Sequence, residues 1–426
     1  ILHALDAASG TELWRFTAGT GCRDAMGIPP GLCGPSGERN EIESSVAVAG
    51  GLVVFGMDVD DDATGKGGVY ALDARDGRMR WFFDLESGST CRPFASDEVR
   101  RYDGYHSESE LGLPAGFLAT RPGCDHPRTP NGCGNVWSSP AVDLDREAVY
   151  LASSNCDTDT DPGTNEPPPP MPPYDEAIFA LRLDGTPLWR WRPREVDNAD
   201  LAFGAPPNLF RIDANGALRD VVGVGNKDGT YYVLDRDGVN EVNGLRWDDP
   251  SPANVALVPY WTRNVVPGGN VGGILAGAAV DETARRICLS TAPGDSGTHL
   301  PPAAPQKPTH HALDLDDGSV LWDNGTGAVL ASFGPTSAIP GVAFFGSVPG
   351  ATLTARDATT GTSLLSLGLT SVAALASAPA FHEGTLVVGE GIGPGPTATS
   401  PSNLAAFCAP GTTACSLCGN GTTELG

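Results

Sequence analysis

The sequence predicts an all-β chain, a β-propeller of seven to eight four-stranded antiparallel blades with long inserted loops. Two observations carry that expectation: one short phrase recurs along the 426 residues, and most copies follow a pair of short apolar runs. The phrase is Ala4-Leu5-Asp6-Ala7-Ala8-Ser9-Gly10-Thr11-Glu12-Leu13-Trp14, then Ala71-Leu72-Asp73 through Gly77 to Trp81, then Ala312-Leu313-Asp314 through Gly318 to Trp322. In all three the step from Asp to Gly and the step from Gly to Trp are four residues each. Weaker copies run from Ala180 to Trp189 with Asp184-Gly185 at the turn, over Val233-Leu234-Asp235-Arg236-Asp237-Gly238, and from Ala355-Arg356-Asp357 through Gly361 to Leu365. Leu404-Ala405-Ala406-Phe407 keeps only the strand.

Each copy reads as a hairpin. The β-prone residues before Asp form one strand, the Asp/Ser/Gly cluster makes the turn, and the second strand ends on an aromatic residue. The apolar pair upstream, such as Ser45-Val46-Ala47-Val48 with Leu52-Val53-Val54-Phe55-Gly56, supplies two more strands. In chain order, residues 1–20 give the outer half of a first blade and residues 44–86 a complete second one. Gly21 to Asn40 is an insertion between them, and Ser87 to about Gly134 a longer one, rich in charge, Gly and Pro. The third blade runs from Val136 to Arg192, interrupted by Asn155 to Pro173. The fourth covers about Leu201 to Arg263, the fifth Gly272 to Trp322 and the sixth Leu330 to Leu367. The seventh begins at Ala378-Pro379-Ala380-Phe381 and ends near Phe407, so residues 1–410 are read as the propeller. The first blade lacks its inner strands, which implies further sequence before Ile1.

Composition narrows the function. The 27 Lys and Arg stand against 52 Asp and Glu, a net charge of −25 that repels phosphate and argues against nucleic acid as a partner. No run of about twenty apolar residues offers a membrane span. Ten cysteines point to an oxidising compartment, hence a secreted, extracellular or periplasmic protein. Cys22 with Cys33, and Cys124 with Cys133, bracket short Gly/Pro-rich loops and are the expected bridges.

The repeat phrase resembles that of the pyrroloquinoline-quinone-type (PQQ-type) propellers, in which the Trp docks between neighbouring blades. The resemblance is closest over Val136 to Ala292, roughly a third of the chain. The phrases that carry it are Asn135-Val136-Trp137-Ser138-Ser139-Pro140, the strand ending at Ser153-Ser154-Asn155, Asp200-Leu201-Ala202-Phe203-Gly204-Ala205-Pro206-Pro207, Lys227-Asp228-Gly229-Thr230-Tyr231-Tyr232-Val233-Leu234-Asp235-Arg236, and Gly268-Gly269-Asn270-Val271-Gly272-Gly273. In order and wording they are similar to the quinoprotein alcohol dehydrogenases, within them the polyvinyl-alcohol-dehydrogenase-like branch. The resemblance implies PQQ and calcium as cofactors, with Asn155 helping to hold the metal and Trp137 in the cofactor site. It implies Asp200 as the carboxylate that takes the alcohol proton, and Lys227 as the cation that contacts the quinone oxygens. A small alcohol or a polymer would be the substrate and a separate cytochrome the acceptor. The family's relatives usually have eight blades. Residues 411–426, with Cys415 and Cys418, resemble the opening of a Cys-rich repeat of secreted proteins.

The chain departs from that family in three ways. It has no adjacent cysteines, it reads Glu43-Ser44-Ser45-Val46 where relatives read Arg-Ser-Ser-Pro, and it has no Cys-x-x-Cys-His for a c-type haem. These departures keep open a second reading: a non-enzymatic extracellular scaffold or binding module that has lost the quinone, with self-assembly or a cell-surface partner.

Calcium has candidate sites of its own. Asp157, Asp159 and Asp161 alternate before Gly163, and Asp58, Asp60 and Asp62 lie before Gly65, patterns that can wrap oxygens round the ion. The alternative at both is a solvated acidic loop. Of the seven His only His310 and His311 are neighbours, which supports neither a zinc site nor a triad. Asn324 and Asn420 begin sequons, which matter in a glycosylating host.

Overall fold

The computed structural model describes residues 1–16, 42–43, 45–58, 67–92, 108–109, 113–121, 124, 133–155, 172–194, 197, 199–240, 245–246, 259–269, 272–292, 308–324, 334–347, 352–369, 375, 377–382, 384–390 and 403–408. Cys22, Cys33, Asp60, Asp62, Asp157, Asp159, Asp161 and the expected C-terminal module lie outside them. The chain divides into two compact units, Ile1–Leu209 with Leu234–Pro259, and Phe210–Val233 with Tyr260–Gly426.

In the first unit the hairpin Leu2–Leu5 with Glu12–Phe16 is followed by a five-stranded meander. Its strands are Ala47–Ala49, Leu52–Met57, Gly68–Asp73, Met79–Asp84 and Ser89–Cys91. The next sheet pairs Ala141–Asp143, Ala148–Ala152, Ile178–Arg182 and Pro187–Trp191 in sequence order. Both faces of these sheets are buried, and the period of two sorts their side chains. Tyr70, Leu72 and Phe82 face a cluster with Trp14, Phe16 and Phe55. Val69, Ala71, Trp81 and Phe83 face the opposite one, with Val149, Leu151, Tyr174 and Phe179.

The second unit repeats the plan. One meander comprises Asn208–Ala214, Ala217–Gly225, Thr230–Asp235 and Trp261–Asn264, its first and third strands crossing the unit boundary by two residues each. A second runs through Ala279–Asp281, Arg286–Ser290, His310–Asp314 and Val320–Asp323, and a third through Ser337–Ile339, Val342–Gly346, Thr352–Asp357 and Ser363–Gly368. Ala380–His382, Thr385–Glu390 and Asn403–Cys408 form a three-stranded sheet. Phe345 packs with Trp322 on one face of its strand, and Phe344 with Leu386 and Phe407 on the other.

The recurring phrase has one local structure. Its Ala pairs with its Trp across the hairpin (Ala4 with Trp14, Ala71 with Trp81, Ala312 with Trp322), and a bulge follows directly. The Asp closes the turn through its backbone: the amides of Gly10, Gly77, Gly318 and Gly361 donate to the carbonyls of Asp6, Asp73, Asp314 and Asp357 at 2.8–3.1 Å. These glycines have φ of +69° to +72°, which L-residues with a Cβ disfavour. All of them but Gly10 meet a second requirement that the sequence leaves unstated. Each Trp lies on the turn glycine of the following copy and donates its indole N–H to a carbonyl there: Trp14 to Ala74, Trp81 to Leu183, Trp189 to Arg236, Trp261 to Leu315 and Trp322 to Ala358. A Cβ on Gly77, Gly185, Gly238, Gly318 or Gly361 would fall 2.4–2.8 Å from the indole. One glycine therefore serves its own turn and seats its neighbour's tryptophan.

Three expectations are corrected. The copy at Val233 to Gly238 has no tryptophan four residues after its glycine; Trp261, aligned with Val233, takes that place. The insertion expected from Ser87 opens as a fifth strand, Ser89–Cys91, whose Thr90 hydroxyl donates to Gly185 O at 2.6 Å. The expected bridge between Cys124 and Cys133 is not formed, because Cys91 at the end of that strand pairs with Cys124 across a Cα–Cα distance of 4.5 Å. Cys133 is disulfide-bonded as well. Closing a 33-residue separation removes much freedom from the unfolded chain. Cys91→Ala with Cys124→Ala is therefore expected to lose about 3–4 kcal/mol, read as a shift of the urea midpoint. A midpoint within error of the parent would show that the bridge is passive.

Candidate active site

The strand Ala148–Ala152 continues into Ser153-Ser154-Asn155, where three further segments are tied to it. Ser154 N donates to Asn135 O (2.8 Å), and Asn135 Nδ2 donates to Asn155 O (2.9 Å). From the Tyr174–Ala177 turn, Glu176 N donates to Ser154 O (3.2 Å). From the third segment, Phe203 N donates to Ser153 O (3.3 Å). The Trp137 ring lies against this last loop, so closely that a Cβ on Gly204 would fall 2.1 Å from it. The sequence-predicted Asn155, Trp137 and Asp200 thus belong to one hydrogen-bonded and packed assembly of the first unit.

Asn155 is 1% exposed. Its Oδ1 accepts the Ser154 hydroxyl at 2.8 Å, while its Nδ2 is buried with no hydrogen-bond partner among the described residues. A buried amide hydrogen left unpaired is unfavourable by about 1–3 kcal/mol, which a polar ligand would recover. Asp200 is half-buried, with φ at +52°. Held in that left-handed conformation, it is one of five non-glycine residues with positive φ among the described residues.

Glu176 is another of the five, with φ at +44° and a fully buried side chain. Its carboxyl lies against that of Asp197, itself 4% exposed, and its Oε2 accepts Arg194 Nη1 at 3.3 Å. Two buried carboxyls in contact cannot both ionise cheaply. Burial first, then the hydrogen bond and charge of Asp197, push Glu176 up to about 10, with Asp175 adding to the shift and Arg194 opposing it. For Asp197 burial also opposes ionisation, but the Glu176 hydrogen bond, the amides of Ala199 and Leu201, and Arg194 outweigh it and hold the group low. These causes favour the protonated form of Glu176 and the ionised form of Asp197. Sequence reasoning missed this pair, whose members are 21 positions apart; the only local signal was a Glu directly before the apolar run Ala177–Leu181.

That proton makes stability depend on pH. The folded chain keeps it up to about 10 and the unfolded chain releases it near 4.5, so the contribution is complete below 4.5 and is lost as pH rises. Glu176→Gln has no proton to lose at this position. Its melting temperature is expected to gain on the parent's between about pH 5 and pH 9, with a parallel pair of melting curves ruling the linkage out.

In the second unit Lys227, 9% exposed, sits in a turn closed by Asn226 N to Thr230 O (3.0 Å) and Asp228 N to Asn226 Oδ1 (2.9 Å). A Cβ on Gly268 or Gly273 would fall 2.2 Å from Lys227 O, which explains the glycines of that phrase. His310 and His311 are core residues held neutral, first by burial: His310 stacks on Phe345 at 4.2 Å and accepts Arg356 Nε at 2.9 Å. Asp58 is buried at the end of its strand. Among the described residues no three His, Cys, Asp or Glu side chains converge as a metal site, and no helix is long and apolar enough to cross a membrane.

Similarity to known proteins agrees with the fold. The chain is 25% identical over 375 residues to a polyvinylalcohol dehydrogenase of Pseudomonas sp., covering 82% of this chain and 48% of that protein. It is 25% identical over 355 residues to the polyvinylalcohol dehydrogenase of Sphingopyxis sp. strain 113P3, covering 74% and 44%. It thus spans about half the length of these relatives. The quinohemoprotein alcohol dehydrogenase ADHIIG of Pseudomonas putida HK5 superposes with a TM-score of 0.58 at 17% identity, covering 92% of this chain and 60% of that one. A europium-containing methanol dehydrogenase superposes with a TM-score of 0.60 at 16% identity, covering 92% and 70%. Both are β-propeller likenesses of fold. Residues 1–244 match the family model described as the glucose/ethanol/alcohol dehydrogenase β-propeller domain (PQQ), more than half of the 426 residues, and the chain belongs to that family.

Proposed function

We propose that this chain is the propeller of a PQQ- and calcium-dependent alcohol dehydrogenase acting outside the cytoplasm, on a small or polymeric alcohol, with a separate electron acceptor. The observation that carries the reading is the assembly of Asn155, Trp137 and the Asp200 loop, with the buried Asn155 Nδ2 left without a partner among the described residues. The residues fit a bound polar cofactor: an uncommitted buried donor, a flat indole and a half-exposed carboxylate. When bound, the quinone supplies the two-electron acceptor and calcium the Lewis acid.

The chain's own residues do the rest. The Asp200 carboxylate accepts the hydroxyl proton of the alcohol, which lets the carbon give up its hydride. Asn155 would contribute its side-chain oxygen to the metal, and Trp137 would face the cofactor ring. The similarity to polyvinylalcohol dehydrogenases supports a polymeric alcohol as substrate. The Cys91–Cys124 bridge supports an oxidising compartment.

The test is a PQQ titration of the purified chain with and without calcium, followed by absorbance and by dye reduction with added alcohols. Stoichiometric, calcium-dependent binding and alcohol-dependent dye reduction are expected. Failure to bind PQQ at any calcium level would rule the reading out and favour a non-enzymatic scaffold.

A further inference from the structure

We propose that Glu176, acting with Arg194 and Asp197, is a positioning residue that holds the Asp200 loop in its reactive conformation and joins it to the Asn155 strand end; this rests on the reading of Asp200 as the base. Asp197 Oδ1 accepts the amide of Ala199 at 2.9 Å and its Oδ2 that of Leu201 at 2.5 Å, so the residues on either side of Asp200 are both fastened. Arg194 Nη1 donates to Leu201 O at 2.9 Å, and Leu201 is therefore held at both its N–H and its C=O. The same Nη1 reaches Glu176 Oε2 at 3.3 Å and Asp197 Oδ2 at 3.8 Å. The Glu176 carboxyl completes the set by lying against that of Asp197. Through its backbone Glu176 also donates to Ser154 O, next to Asn155. One residue thus touches both arms of the site.

The charges explain why this residue must stay neutral. Arg194 and Asp197 offset each other, so an ionised Glu176 would leave an uncompensated negative charge in the interior, beside Asp175. Glutamate is also a poor choice for a turn at positive φ, where Gly or Asn would be less strained, so the backbone alone does not call for it. The groups that face its carboxyl are Arg194, Asp197 and Asp175.

The test compares Glu176→Gln and Glu176→Ala by hydrogen exchange across residues 197–204 of the cofactor-free chain, and by kcat and KM of the PQQ-loaded protein. Glu176→Gln should match the parent in both. Glu176→Ala should exchange about tenfold faster across the loop with residues 312–322 unchanged, a local opening. Its kcat should fall roughly a hundredfold, the effect of a misplaced catalytic group, with KM and PQQ affinity little changed. Unaltered loop exchange in Glu176→Ala, or equal damage from Glu176→Gln, overturns the proposal. Should Glu176→Ala fail to fold, Arg194→Lys is read by the same exchange, with faster loop exchange expected and parental exchange counting against the clamp. The exchange arm needs no quinone, so a chain that never binds PQQ yet shows the loop effect refutes the dehydrogenase reading and keeps the clamp.

Discussion

Asp200→Asn is expected to lower alcohol turnover by about a thousandfold, the middle of the range for losing a general base, with PQQ binding and the melting temperature near those of the parent. Asn has the shape of Asp but cannot hold the alcohol proton at neutral pH. The loop should survive the change, because the hydrogen bonds that fasten it come from Asp197 and Arg194 to Ala199 and Leu201. Pre-steady-state reduction of bound quinone by the alcohol is the direct readout. Turnover within tenfold of the parent would remove Asp200 from the chemistry, and a matching loss of PQQ binding would make it a cofactor contact instead.

Trp81→Ala should destabilise the chain by about 3–5 kcal/mol, the range for truncating a buried aromatic residue to alanine. The indole is 2% exposed, packs with Phe83 and Phe179, and donates to Leu183 O at 2.8 Å. It is the wedge between the second blade and the hairpin turn of the third. Trp81→Phe keeps most of the ring and loses the hydrogen bond, for an expected loss nearer 1–2 kcal/mol. Gly185→Ala attacks the same contact from the other side: at φ +82° its Cβ would meet Thr90 Cγ2 at 2.7 Å and the Trp81 ring at 2.8 Å. Because the two positions touch, the double variant Trp81→Ala with Gly185→Ala should lose less than the sum of the single losses. Urea midpoints for the four chains decide the matter, and strict additivity would mean that the packing is not shared.

The repeat was legible because its causes are local. An Asp whose carbonyl receives the turn amide, a Gly that tolerates positive φ and an aromatic residue opposite Ala all act within eleven residues, and period-two burial fixes which strands follow. Where a cause was remote, the reading failed. Cys124 has Cys133 nearer in sequence, yet a fifth strand brings Cys91 to it. Trp261 does its work beyond an insertion that hides the spacing by which the other tryptophans were recognised.

The candidate site divides along the same line. Asn155, Trp137, Asp200 and Lys227 stand in contiguous phrases, and such phrases single out a candidate residue without reference to its neighbours in space. Glu176, Arg194 and Asp197 stand in none; each alone is an ordinary charged residue of an acidic chain. What the sequence determined by itself was the hairpin and the family to which its phrases belong, since these follow from backbone conformation and residue type. What only the tertiary structure decided was which carboxyl keeps a proton and which loop it holds, since burial and charge proximity exist only once the third blade has folded against its own loops.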